Sequence, residues 1–336
     1  MGAFVERDWQ YRGLRVVRIE NEHIRLDVFP EVGAKIYNFV HKASNRNLLW
    51  HNPRVPPARA AYGLLFDNHW SGGWDELLPN DVPFKTPSGE MLPDHGEVWG
   101  QASEWDIVEE RADMVSVRFV TQGRVLPTRF EKTISLRTGE SFCSVHYAYR
   151  NLGSAPIDFL WNICCALEIS PATRLDIPAR RGIIEATDPW NTQKFKPGTE
   201  YDWPSTVTPA GQAVDFRTMP PEGSGVTDFQ YLPNLASGWF AVTDGSAQVG
   251  FGMVFPADVI PHLSLFRSVG GWRGQSLVSL EPSVGYPYDL SVAIENGTAA
   301  RVEAGGAIEA TIKAIAYGGV TAVKRIDPDA TVVAGS

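Results

Sequence analysis

The sequence predicts an all-β protein built as an antiparallel β-sandwich. Three observations carry this: many short segments where apolar and polar residues alternate, Gly- and Pro-rich turns between them, and no alternation of strand with helix. A period of two sends one face of each segment to a core and the other to water. Ile24, Leu26 and Val28 set the pattern over 23–29, and Glu31-Val32-Gly33 turns the chain into a strand over 34–40. Val115, Val117 and Phe119 repeat it over 114–121. Thr138-Gly139-Glu140 reads as a hairpin turn into a strand carrying Cys143, Val145, Tyr147 and Tyr149, closed by Asn151-Leu152-Gly153. Further strands are expected over 239–243 and 249–255, on either side of Asp244-Gly245. Asn296-Gly297 is a strong two-residue hairpin signal between 290–294 and 298–302, and a strand over 307–317 is expected to finish the fold. Residues 159–169 read as a buried strand. Helix is confined to one or two turns over 59–65.

The chain has 336 residues, and 43% hydrophobic with 21% charged residues describes a globular protein with ample core. One domain over 1–336 is expected, with a loop-rich insertion at 189–234. A net charge of −9 argues against nucleic acid and anionic membranes as partners, since both need clustered Lys and Arg. Cys143, Cys164 and Cys165 give no disulfide framework. Residues 1–7 lack the features of a signal peptide, and no apolar run is long enough to span a membrane, so a cytoplasmic location is expected.

The chemistry-bearing stretch runs from residue 72 to 105. It contains Trp74-Asp75-Glu76, Pro79-Asn80, Asp94-His95-Gly96-Glu97, Trp99 and Trp105. Gly and Pro interrupt it so often that it reads as a loop, and loops carry function. Acids, an imidazole and indoles together suit a flat polar ligand such as a sugar: rings face C–H groups while carboxylates and imidazole bond hydroxyls. The alternative is a surface loop whose Trp residues plug a sheet edge. His95 between two carboxylates is expected to gain a raised pKa, and Gly96 to let backbone approach a ligand. Asp75, Glu76, Asp94, His95 and Glu97 also form a donor set that a hard divalent cation accepts, although their spacing matches no metal motif.

Glu281 ends an apolar strand just before Pro282 and Gly285, beside Trp272 and Tyr286 in the expected packing. A partly buried carboxylate there suits a general base. An exposed turn residue is the plainer alternative. Cys164 and Cys165 read as core cysteines, because nothing in the sequence lowers a thiol pKa.

Taken in order, these segments resemble the aldose 1-epimerase (galactose mutarotase-like) superfamily, and most nearly its poorly characterised bacterial branch. The resemblance covers most of the chain. It is carried by Ile19-Glu20-Asn21-Glu22-His23-Ile24-Arg25-Leu26 with Pro30-Glu31-Val32-Gly33-Ala34-Lys35-Ile36, by Gly73-Trp74-Asp75-Glu76 with Pro79-Asn80, by Pro93-Asp94-His95-Gly96-Glu97-Val98-Trp99, and by Leu280-Glu281-Pro282. It implies a large antiparallel β-super-sandwich with an open sugar cleft. It also implies a reaction in which a Glu takes the anomeric hydroxyl proton while a His protonates the ring oxygen, with no cofactor; no metal ligand is assigned among the site residues. Glu281 takes the position of the base and His95 that of the sugar-binding imidazole. Two positions depart from the pattern. Cys164 stands where the acid His is expected, and Asp81 follows Asn80 where many members carry Arg.

The leading expectation is a carbohydrate-active isomerase that interconverts anomers of a free sugar or sugar derivative, working as a monomer or homodimer. Glu281 is its expected base and His95 its acid or orienting donor. Asp75, Glu76, Asn80, Asp94, Glu97 and Cys164 are expected at the substrate, and Trp74, Trp99, Trp161 and Trp272 as stacking platforms. A non-catalytic sugar-binding or sensing protein is the alternative that Cys164 favours. A different epimerisation or an elimination, with Glu281 taking a C–H proton, is the third. No basic pocket is evident near the motifs, which disfavours a phosphorylated sugar unless Arg59, Arg267 or Arg273 folds into the cleft.

Overall fold

Residues 2–335 are described by the computed structural model, except 186, 188, 189 and 197. The termini of the expected 1–336 domain and the first residue of the expected insertion thus lie outside the described residues. Two antiparallel sheets face each other. The larger has 12 strands and runs Phe4–Tyr11, Leu14–Glu20, Ile24–Phe29, Lys35–His41, Trp74–Leu77, Asn162–Leu167, Ser276–Ser283, His262–Val269, Val226–Leu232, Arg181–Glu185 and Glu200–Asp202, with Arg46–Asn47 paired beside Lys35–His41. The smaller has 8: Thr173–Asp176, Trp239–Asp244, Val249–Val254, Ala307–Gly318, Phe142–Asn151, Thr128–Arg137, Met114–Gln122 and Glu104–Arg111.

The alternation read from the sequence is the alternation that packs. Val115, Val117, Phe119, Val145 and Tyr147 of the smaller sheet meet Ile19, Leu26, Val28, Trp74, Trp161, Ile163, Cys165 and Leu280 of the larger in one core. The opposite face of the larger sheet is also covered, by a separate cluster containing Trp50, Phe66, Trp70, Leu77, Cys164, Phe266 and Trp272. A strand buried on both faces has no solvent side, so Asn162–Leu167 is buried throughout.

Three local expectations are corrected. Asn296-Gly297 does not turn a hairpin: Leu290–Glu295 is a helix, capped by Asp289, whose side chain accepts from Ser291 and Val292 N–H. Gly297, at φ 69°, follows the helix in the left-handed conformation that ends helices. The single helical turn near residue 65 is Phe66–His69, just beyond the segment expected to hold it. The chain also continues past its expected last strand into a hairpin of Val323–Ile326 and Val332–Ala334. Between 190 and 234 the chain is not all loop. Val226–Leu232 joins the larger sheet, while Phe195, Tyr201 and Phe216 pack with Ile184 at its far end. Among the described residues no helix is long and apolar enough to cross a membrane.

Candidate active site

Five adjacent strands at the middle of the larger sheet send one residue each to a cavity on the face turned away from the smaller sheet. They are Leu77, Cys164, Glu281, Phe266 and Phe229. The pairings Ser264 with Glu281 and Phe229 with Phe266 set the register of this floor. The helical turn Phe66–His69 and the loops complete the walls with Phe66, Asp67, Trp70, Asp81, Asp94, His95, Trp190, Trp272, Arg273 and Tyr288. The cavity has a volume of about 310 Å³.

His95 reaches it because two loops are laced together. Asn80 Nδ2 donates to Val82 O at 2.8 Å and to Pro93 O at 2.7 Å. Glu97 N donates to Leu78 O at 2.7 Å, and His95 N donates to Asp81 O. At Gly96 an added Cβ would lie 2.1 Å from Leu78 O, so glycine is required by this backbone approach rather than by a ligand. The outcome is an imidazole between two carboxylates: His95 Nε2 lies 3.2 Å from Asp81 Oδ1, and Nδ1 lies 3.1 Å from Asp94 Oδ1. Phe66 stacks on the ring at 4.3 Å. Each carboxylate is anchored behind, Asp81 by Asn162 Nδ2 at 2.9 Å and Asp94 by Phe66 N at 2.8 Å.

These neighbours set the charge state. Burial pulls the His95 pKa down, but Asp81, Asp94 and Asp67 outweigh it and raise the imidazole to about 9. Glu281 is only 7% exposed. Burial first, then the like charge of Asp81, pushes its carboxyl up to about 7 against the Ser279 hydroxyl, the Cys164 thiol and the His95 charge. Ser279 Oγ donates to Glu281 Oε1 at 2.9 Å and lies 3.4 Å from Cys164 Sγ. Burial, then the charges of Glu281 and Asp75, raise the Cys164 thiol well above its usual value. The cavity thus pairs an imidazolium with a carboxyl that ionises near neutrality, over a thiol that stays neutral.

Glu281, His95, Asp94, Cys164 and Trp272 of the expected site residues line this cavity. The others do not. Trp74–Leu77 is a strand, not a loop, so Trp74 and Glu76 face the core. Glu76 is held there by Lys132 Nζ and Tyr147 Oη, each at 2.8 Å. Trp161 packs edge-on against Tyr147 in the same core. Asp75 is buried against Lys35 Nζ at 2.8 Å. Asn80 is the bracket described above. Glu97 braces a turn, with Oε1 accepting from Arg124 N at 2.9 Å, Val125 N at 2.8 Å and Tyr62 Oη at 2.7 Å. Trp99 supports the site from behind, with its ring edge-on to Phe66 and Nε1 donating to Asp94 O at 3.0 Å. Asp75, Glu76 and Glu97 therefore do not converge with Asp94 and His95 on a cation, and no metal-holding group of three or more His, Cys, Asp or Glu occurs among the described residues. Tyr288 lines the cavity, and Tyr286 packs against His262 instead.

Asp81 and Asp67 were not singled out by the sequence, and neither were the wall aromatics Phe66, Trp70, Trp190, Phe229, Phe266 and Tyr288. Asp81 left one signal, an acid directly after Asn80 where the resemblance expects Arg.

Neither family models nor curated proteins match this chain. Solved structures do. A candidate aldose 1-epimerase from Klebsiella pneumoniae superposes with TM-score 0.71 at 12% identity, over 93% of this chain and 83% of that one. A galactose mutarotase-like protein from Clostridium acetobutylicum gives 0.67 at 11%, over 95% and 99%. Another from Lactobacillus casei gives 0.58 at 14%, over 90% and 100%. The chain has the galactose mutarotase-like fold. At such identities the likeness concerns backbone architecture. On this mutarotase-like sheet Cys164 and Asp81 both border the cavity, so the two departures found in the sequence fall at the candidate site.

Proposed function

We propose that the protein interconverts the anomers of a free sugar or sugar derivative by acid–base catalysis in this cavity. The observation that carries the reading is that Glu281 and His95 open into one cavity in complementary states, a carboxyl raised to about 7 and an imidazole raised to about 9. Between those values the base is ionised and the acid is protonated, the pairing that proton exchange needs at neutral pH.

In the proposed reaction Glu281 takes the proton of the anomeric hydroxyl. The C1–ring oxygen bond breaks, and the electron pair on the ring oxygen takes the His95 proton. Rotation about C1–C2 turns the aldehyde, and closure returns both protons. The reaction is isomeric and redox-neutral, so these two groups complete the cycle. Asp81 and Asp94 keep His95 protonated and oriented, and Trp70, Trp272 and Phe266 offer ring faces to the sugar's C–H groups.

Anomer exchange measured by NMR on a panel of free aldoses tests this. Saturation transfer between the α and β anomeric signals of one sugar, abolished in Glu281→Gln, is the expected result. Absence of exchange across the panel rejects it. A sensing protein is the second reading, favoured by the neutral Cys164 thiol where an acid His is expected. Saturable sugar binding without exchange is its signature.

A further inference from the structure

We infer that the substrate carries a positive charge, as a protonated amino sugar, and that anionic sugars are excluded. This rests on the reading of the cavity as a sugar site and adds the class of sugar.

The charged groups lining the cavity are Asp67, Asp81, Asp94 and Glu281 against His95 and Arg273. Both cations are already engaged by the protein. His95 lies within 3.2 Å of Asp81 and 3.1 Å of Asp94, and Asp67 acts on its charge as well, so three carboxylates surround one imidazolium. Arg273 Nη1 donates to Asp67 O at 2.6 Å and to Asn68 Oδ1 at 3.1 Å, and its Nη2 lies 3.5 Å from Asp67 Oδ2. The other arginines are elsewhere: Arg267 is buried against Asp228 at 2.7 Å, and Arg59 pairs with Glu31. Among the described residues that line the cavity, no guanidinium or ammonium is left unengaged to receive a phosphate or carboxylate on the sugar.

A separate feature points to a cation. Glu281 is nine-tenths buried, faces the cavity, and has no ion-pair partner among the described residues. Burying a carboxylate without a counter-charge is costly, and a ligand ammonium supplies one. The walls suit the same group. Trp70, Trp272, Phe266, Phe229, Trp190 and Tyr288 surround the space with aromatic rings, whose faces attract cations and not anions. Trp70 and Trp272 meet at 5.6 Å, Trp272 and Phe266 at 5.8 Å, and Phe266 and Trp190 at 5.4 Å, so the rings form a continuous wall. An ammonium on the ring leaves the anomeric centre unchanged and adds attraction to Glu281 and to the aromatic wall.

Affinities measured at pH about 7, where Glu281 is substantially ionised and a sugar amine still largely protonated, test the inference for four probe classes: 2-amino-2-deoxyhexoses, their N-acetyl derivatives, the parent hexoses and hexose 6-phosphates. N-acetylation keeps the nitrogen and removes the charge. An amino sugar is expected to bind about tenfold more tightly than its N-acetyl and parent forms, with 6-phosphates not binding. Asp67→Asn and high salt are each expected to narrow that ratio. Equal or tighter binding of the neutral forms, or binding of a 6-phosphate, overturns the inference. Anomer exchange in the same samples separates the two readings. Exchange on neutral sugars without amine preference overturns the charge inference and leaves mutarotation standing. Amine preference without exchange supports the charge inference and removes mutarotation. No binding in any class overturns both.

Discussion

His95 Nε2 stands 3.2 Å from Asp81 Oδ1, and the same carboxylate acts on the charge of Glu281. One acid thus couples the proposed proton donor to the proposed base. It stabilises the imidazolium as an opposite charge and destabilises the ionised Glu281 as a like charge. The kcat/KM of the wild-type protein is expected to rise with pH through about 7 and fall through about 9, following Glu281 and His95. In Asp81→Asn both limbs are expected to move to lower pH, because each group loses an influence that raises its pKa. A rate reduced equally at all pH values, with both limbs in place, would assign Asp81 a purely structural part.

Stability should carry the same signature. Glu281 has its folded pKa raised to about 7 from 4.5, so between those values the folded state holds a proton that the unfolded state has lost. Stability therefore falls as pH rises across that window, by up to about 3 kcal/mol for a shift of this size. His95, raised to about 9 from 6.5, contributes stability that is fully present below 6.5 and is lost as pH rises through 9. Urea denaturation should show ΔG declining from mildly acid to alkaline pH. Glu281→Gln is expected to flatten the part below 7 and His95→Gln the part above it. Glu281→Gln is also expected to lose more than about a hundredfold in kcat/KM, within the range of a general base.

Most of the sandwich was legible because period-two alternation survives wherever a strand has one buried face. Val115-Val117-Phe119 and Cys143-Val145-Tyr147 show it plainly. Trp74–Leu77 did not, because it is buried on both faces, preceded by Gly72-Gly73 and closely followed by Pro79, so it looked like a loop and its residues like ligands. A single alternation then explains the errors there: Trp74 and Glu76 point to the core, Asp75 and Leu77 to the other side. His95 and Glu281 were legible because acids around a lone His, and a Glu before Pro in an apolar strand, are unusual locally. The aromatic walls were not. Phe229 and Phe266 are ordinary core residues in sequence, and only the strand order of the larger sheet brings them together.

Cys164 separates catalysis from simple packing. The residue is 2% exposed, and burial followed by neighbouring acids holds its thiol protonated. Cys164→Ala is expected to keep kcat within about threefold and to lower stability modestly through the lost sulfur contacts. The folded protein should also resist alkylation at this position, since the thiolate is the reactive form. A hundredfold loss of kcat in Cys164→Ala, with fold intact, would give the thiol the acid's task.

Glu76 provides a test in which stability and sugar binding should part company. Its carboxylate lies between the sheets, 2.8 Å from Lys132 Nζ and accepting from Tyr147 Oη, and Lys132 Nζ also donates to Ala34 O at 3.1 Å. Removing one partner of such a pair leaves a charge stranded in the core, a loss of roughly 3–5 kcal/mol. Lys132→Met alone should therefore be strongly destabilising, because it leaves the Glu76 carboxylate unpaired. Adding Glu76→Gln removes that stranded charge while keeping an acceptor for Tyr147, so the double variant should recover much of the loss in urea denaturation. Sugar affinity in the folded double variant should match wild type, since Glu76 faces away from the cavity. If the double variant folds but no longer binds sugar, the ion pair is transmitting structure to the strand that carries Leu77 into the cavity floor.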